Sequence, residues 1–316
     1  MRVLFLGTPR FAVPSLEAVA RAHQVVAVVT QPDRPAGRGR RLTSPPVAER
    51  ARELGLPVLQ PERLREAREV LETAGPEVGV VVAYGRLLPG WLLRLPKLGC
   101  VNLHPSLLPK YRGASPVQAA IRQGDPTTGV TVVRVTEELD AGEILGQREV
   151  PILPEDTAGT LEARLAQEGA ELLLEVLGAL ERGQVQPKPQ DPAQASYCGK
   201  LSKEDGRICW EQSAQELERF VRAMDPWPVA HTVHRGRILR VWKVRVTDGE
   251  GEPGQVLRLS PQGFVVATGS GAVEVVEVQP ASGRRMSGAE YARGYRLRPG
   301  ERLDSEGQEG SPGLVK

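Results

Sequence analysis

The sequence predicts an α/β chain: a mostly parallel sheet flanked by helices, then a smaller domain of short strands closing into a barrel. Three observations carry this. Val78–Ala83, VGVVVA, is apolar on both faces, as a strand covered on each side requires. The chain opens strand, helix, strand, with Val3–Leu6, Phe11–Ala22 and Val25–Thr30. From Ala230 onward, short strand-like runs alternate with glycine turns.

Each element has its own reason. Val3–Leu6 is an apolar run, and Phe11–Ala22 holds Pro14 in its first turn, where a helix tolerates proline. Gly7 is the only glycine before Gly37, so the G-x-G-x-x-G fingerprint of a dinucleotide site is absent. Gln31–Arg41, QPDRPAGRGRR, sets Arg34, Arg38, Arg40 and Arg41 against Asp33 alone. Its prolines and glycines exclude a core helix or central strand. It is either a solvated loop or a mobile basic finger for phosphates, whose oxygens match guanidinium forks. Pro46–Leu54 reads as a helix, Pro57–Leu59 as a short strand, Leu64–Thr73 as a helix and Trp91–Leu95 as a helical turn.

Cys100–Pro116, CVNLHPSLLPKYRGASP, is the stretch around which the rest is organised. Asn102 and His104 lie two apart on an extended backbone, so they share a side. Pro105 stops the ladder past His104. Ser115 followed by Pro116 reads as an N-cap opening a helix over Pro116–Gln123, ended by Gly124. An amide and an imidazole at a strand end suit acyl chemistry: both can donate to a developing oxyanion, and the imidazole can move protons. The plainer alternative is two residues satisfied by backbone hydrogen bonds.

Gly129–Val135 is a β-branched strand, and Ile144–Val150 returns antiparallel through the loop Thr136–Gly142. Ligands of open α/β sheets bind beyond the C-terminal strand ends. Gly7, Tyr84-Gly85, Asn102, His104 and Asp140 all follow strands and converge there if the sheet is parallel. Asp140 would then orient His104 and favour its charged form, or serve only as a turn residue before Ala141-Gly142. Thr157–Gly183 is a long helix with an apolar stripe from Leu161 to Leu180.

Four segments follow from this reading: a catalytic domain over 1–186, a Pro- and Gln-rich linker over 187–203, a barrel-like domain over 204–305 and a frayed tail over 306–316. In the third, Glu204–Trp210 reads as a strand and Ala214–Met224 as a helix. The strands after it are Ala230–Val233, Ile238–Val246, Gln255–Leu259, Gly263–Ala267 and Ala272–Gln279. Arg235, Arg237, Arg240, Lys243 and Arg245 are interrupted by no acid. They make either a phosphate-tracking face or a solvated strand edge. His231 and His234, three apart on a strand, face opposite sides and make a poor metal pair.

Composition narrows the class. Over 316 residues the net charge is +2, too mild by itself to announce nucleic-acid binding. The longest apolar runs are too short to span a bilayer, and the N-terminus runs straight into a strand with no signal-peptide pattern. Three cysteines, Cys100, Cys198 and Cys209, form neither a paired framework nor a zinc spacing, which fits a reducing cytoplasm and no metal.

VNLHPSLLPKYRGASP followed by ELDAGEIL resembles the signature of enzymes that use 10-formyltetrahydrofolate. QPDRPAGRG, KLSKEDGRICW and AMDPWPVAHT resemble, within that superfamily, the methionyl-tRNA formyltransferases. The resemblance covers all but the last dozen residues. It implies a Rossmann-like catalytic domain, a linker and an OB-like tRNA-binding barrel. It implies Asn102, His104 and Asp140 as catalytic residues, and Ser106, Leu107, Leu108 and Pro109 as the folate-contacting loop. Arg38, Arg40 and Arg41 belong to the basic insertion that meets the acceptor stem, Arg38 most directly. The implied partners are 10-formyltetrahydrofolate and initiator methionyl-tRNA, the implied state a monomer in the cytoplasm. Other formyltransferases of the superfamily and formyl-folate hydrolases are the alternatives.

Overall fold

A computed structural model describes residues 1–36 and 41–304. The chain divides into two compact units. The first holds Met1–Pro116, Thr127–Pro151 and Glu162–Tyr197; the second holds Val117–Pro126, Ile152–Leu161 and the chain from Cys198.

The first unit is built on a seven-stranded sheet in the order Ile144–Pro151, Thr127–Arg134, Cys100–His104, Val78–Val82, Arg2–Gly7, Gln24–Val29, Val58–Leu59. The last five run parallel. The first two are antiparallel to each other, and Thr127–Arg134 is antiparallel to Cys100–His104. Val3–Leu6 and Val78–Val82 are buried throughout, as strands covered on both faces must be. Leu4, Leu6, Val81 and Tyr84 form one apolar cluster with Leu64, Leu71 and Leu92. The stretch 64–73 is not one helix: a 3₁₀ turn, Leu64–Ala67, precedes a helix over Arg68–Ala74. The tighter winding eclipses residues three apart, and both Leu64 and Ala67 thereby reach the cluster.

The described ends of the basic stretch form short strands, where composition predicts a loop or finger. Arg34–Ala36 pairs antiparallel with Arg41–Thr43 as a separate two-stranded ribbon. Asp33 anchors its base, accepting from Ser44 Oγ at 2.8 Å and Gln60 Nε2 at 2.7 Å. These two hydrogen bonds hold the Asp33 carboxyl below its usual range. Arg38 and Arg40 lie outside the described residues, and Arg41 begins the return strand.

The second unit carries an antiparallel sheet in the order His231–His234, Arg237–Thr247, Ala272–Pro280, Phe264–Ala267, Val256–Leu259. Its two edges are reached by one short segment: Asp304 bridges to Val233, and Arg302 to Gln255. That places both edges a few residues apart, so the sheet curls into a half-barrel. Glu204–Trp210 is not a strand; it holds a 3₁₀ turn over Glu204–Gly206, with one isolated bridge from Arg207 to His231. Helices Ala214–Met224 and Gly288–Gly294, the second not foreseen above, each open with a reciprocal Ser–Glu capping box.

Gly129 tests the packing under the antiparallel edge. A Cβ there would sit 2.2 Å from the Arg148 carbonyl oxygen and 2.5 Å from Leu107 Cδ2. Gly129→Ala is expected to lower the free energy of unfolding by about 1–3 kcal/mol, the usual range for overpacking. Urea unfolding midpoints of the two proteins check this.

Candidate active site

Asn102 and His104 project from one face of the Cys100–His104 strand. Leu103 projects from the other, where its methyl groups lie against Gly169 of the long helix, Ala158–Glu181. The alternation expected of a strand thus separates the polar pair from the packing face. Asp140 meets the pair by a route other than the parallel one expected. Thr127–Arg134 runs antiparallel, so its end lies beside Val101, and Val135 N donates to Cys100 O. The loop then folds back across the sheet, and Arg134 N closes it onto Glu143 O. Gly142 permits this return, since a Cβ there would fall 1.8 Å from the Arg134 carbonyl oxygen.

The three predicted residues are brought together. Asn102 Nδ2 donates to Asp140 Oδ1 at 3.4 Å, and His104 Nδ1 lies 3.7 Å from Asp140 Oδ2. Gly113 N donates to the same Oδ2 at 2.9 Å. Asp140 sits at φ 51°, a left-handed conformation that costs a non-glycine residue about 1 kcal/mol or more and so must be held by its surroundings.

His104 is 4% exposed, and its Nε2 lies 2.8 Å from Tyr111 O. A carbonyl can only accept, so Nε2 carries the proton whenever that bond is made. Nδ1 is then the nitrogen available for proton traffic. At 3.7 Å it is close to the Asp140 carboxylate without a closed hydrogen bond. The site therefore holds an imidazole, a neighbouring carboxylate and an amide donor.

The loop Ser106–Pro109 follows directly. Ser106 and Leu108 are buried. The Thr131 hydroxyl holds them: it donates to Ser106 O at 2.6 Å and accepts from Leu108 N at 3.2 Å and Gln147 Nε2 at 2.9 Å. That exhausts one donor and two lone pairs. Leu107 lies over Gly129. The sequence reading missed Thr131, Gln147 and Tyr111, which act through backbone groups. The one available signal for Thr131 is a buried β-branched hydroxyl directly opposite His104 in the ladder.

Cys100 shares the strand but not the chemistry. Its Sγ donates to Leu92 O, and burial pushes the thiol up to about 12. An open cleft of about 510 Å3 lies elsewhere in this unit, lined by Glu62–Arg65 and Arg86–Pro89 with Trp91; none of the predicted site residues lines it. In the second unit, Arg235 leaves the expected basic row. Its guanidinium forks onto Glu301 at 2.7 and 3.0 Å. Arg237, Arg240, Lys243 and Arg245 are exposed, but the register sets Lys243 opposite Glu277 and Arg245 opposite Glu274. His234 is buried between Tyr291 OH at 2.6 Å and Glu301 at 3.0 Å, a structural use of a histidine.

Residues 1–177 match the family model described as formyl transferase, and residues 200–296 the model described as formyl transferase, C-terminal domain. The chain is 50% identical over 305 residues to the methionyl-tRNA formyltransferase of Thermus thermophilus, covering 96% of this chain and 99% of that one. It is 51% identical to that of Chloroflexus aurantiacus over 93% of this chain and 97% of the other. Among solved structures, HypX from Aquifex aeolicus in complex with tetrahydrofolic acid superposes with a TM-score of 0.65 at 22% identity. It covers 98% of this chain and 50% of that one. An N-formyltransferase from Helicobacter canadensis gives a TM-score of 0.66 at 19% identity, over 89% of this chain and 100% of that one.

The hydroxyl of Thr131 is separable from its shape. Thr131→Val is expected to lower the free energy of unfolding by about 2 kcal/mol or more, because buried groups on Ser106 and Leu108 lose their partner. Thr131→Ser should stay close to wild type. Chemical denaturation of the three proteins decides between hydroxyl and methyl.

Proposed function

Because the chain belongs to the formyl transferase family, and within it to the methionyl-tRNA formyltransferases, we propose that it moves a formyl group from 10-formyltetrahydrofolate to the α-amine of methionyl initiator tRNA. The observation that carries the residue roles is the meeting of Asn102, His104 and Asp140 on one sheet face. The donor and acceptor set fits a formyl group between an amine and a folate nitrogen. In this reading residues 1–186 perform the chemistry, and 204–305 with the basic ribbon hold the tRNA. In the same reading the protein works as a monomer in the cytoplasm.

The α-amine has an ordinary pKa of about 7.7–8.0, so a useful fraction is neutral at pH 7. A bond forms from that nitrogen to the formyl carbon, and the bond from the same carbon to the folate N10 breaks. Asn102 Nδ2 has a second hydrogen beyond the one given to Asp140, and it stabilises the oxygen that gains charge. His104 Nδ1 takes the amine proton, directly or through a water, and returns a proton to the departing nitrogen. Asp140 steadies the imidazolium between these events. Ser106–Pro109 supply the apolar wall for the folate, Leu107 and Pro109 being only half-buried. Holding two large substrates in register supplies much of the acceleration.

A single-turnover reaction with the formyl donor and charged initiator tRNA tests the reading. Formylmethionyl-tRNA is expected, and free formate without it would mean hydrolysis. His104→Ala and Asp140→Ala should each lower turnover by about 100-fold or more, the usual scale for a lost general base, with folate binding retained. Near-normal turnover in either variant removes the mechanism.

Arg38 tests the choice of acceptor. Arg38→Ala is expected to lower kcat/KM for initiator methionyl-tRNA by about tenfold or more, the scale of one lost charge-assisted contact, and to weaken discrimination against the elongator. Arg38→Lys should rescue this only in part, since a point charge lacks the planar fork. An unchanged ratio between the two tRNAs would make the stretch a bystander.

A further inference from the structure

Asp140 is held at its carboxylate by the groups described above, but its left-handed backbone needs a second hold. Gln190 supplies it. This residue lies in the Pro- and Gln-rich stretch after the long helix, where composition reads only a linker. Its Nε2 donates to Asp140 O at 2.7 Å and to Gly142 O at 2.8 Å. One amide nitrogen thus grips the main chain on both sides of Ala141. Its Oε1 accepts from Arg112 Nη2 at 2.9 Å and Nε at 3.2 Å. Two donors and two lone pairs are all used, so the amide has one orientation that satisfies every partner.

Arg112 makes this more than a local clasp. It is 3% exposed, and it also reaches Glu138 and the Tyr197 hydroxyl, each at 3.2 Å. Its neighbours in sequence are the two backbone anchors of the site. Tyr111 O holds His104 Nε2, and Gly113 N holds Asp140 Oδ2. A closed ring results: Asp140 carboxylate, Gly113, Arg112, Gln190, Asp140 carbonyl. From this ring we infer that Gln190 is a positioning residue for formyl transfer, fixing the Asp140 carboxylate against His104 through the Asp140–Gly142 backbone. The inference rests on the functional reading above only for its kinetic test.

The experiment compares Gln190→Met and Gln190→Glu in the full chain. Methionine keeps the length and removes the donors. Glutamate keeps the contact with Arg112, which protects folding, but sets an oxygen against two carbonyls. Both are expected to lower kcat by about tenfold or more with KM for either substrate within about threefold, since small misplacements near a reacting centre act on the transition state. In an Asp140→Asn background, Gln190→Met should cost less than about twofold more, because residues acting through one group are not additive. An equal loss in both backgrounds, a change confined to KM, or wild-type kcat in Gln190→Glu would overturn the inference. Amide exchange over 137–143, read without substrate, should speed up in both variants; unchanged protection overturns the inference whatever the wild type formylates. A wild type that leaves methionyl-tRNA unmodified, with exchange altered as expected, would instead overturn the functional reading alone.

Discussion

One carboxylate depends on two separate parts of the chain, and they in turn are held in place by it. Asp140 receives the Asn102 amide from the fifth parallel strand, the Gly113 N–H from the loop beyond it, and stands beside His104. A partly buried carboxylate is tolerated only when donors surround it. The same donors would lack an acceptor without it. The fold meets that mutual need by running Thr127–Arg134 antiparallel, which sends the following loop back across the sheet instead of away from it. The antiparallel edge is therefore what brings Asp140 to Asn102 and His104.

Much of this was legible because the relevant signals are local. The burial of Val78–Val82 follows from an unbroken apolar run, and the pairing of Asn102 with His104 follows from a period of two. The helix over Pro116–Gln123 begins at the expected proline. What stayed hidden is non-local. Strand direction at the sheet edge is set by tertiary pairing, so the parallel convergence expected for Asp140 was wrong in route although the residues do meet. Thr131 acts through backbone atoms of Ser106 and Leu108, and no motif spells out such a contact. Composition assigns residues 187–203 to a linker, and it has no access to what the side chain of Gln190 touches.

Charge was the least legible property. A row of five cations without an acid looks uniform along the chain, but the sheet brings its own acids alongside. Glu301 takes Arg235, and Glu274 and Glu277 stand across the ladder from Arg245 and Lys243. Likewise Asp33, which seems a lone counterion in the basic stretch, is spent on Ser44 and Gln60. Sequence clustering overstates a field whenever strand pairing supplies neighbours that the linear order conceals.

The bridges from Asp304 to Val233 and from Arg302 to Gln255 have a consequence for how the molecule is made. A sheet edge without a partner is a template for pairing with other chains. The His231–His234 edge already meets Arg207, but the Val256–Leu259 edge waits for the residues around Arg302, which are translated after every strand of the sheet. During vectorial synthesis the first unit's strands can all pair while the second unit still exposes the border at Val256–Leu259. The nascent chain is thus most prone to self-association in the interval between completing Ala272–Pro280 and releasing residue 304, and only then does the second unit seal.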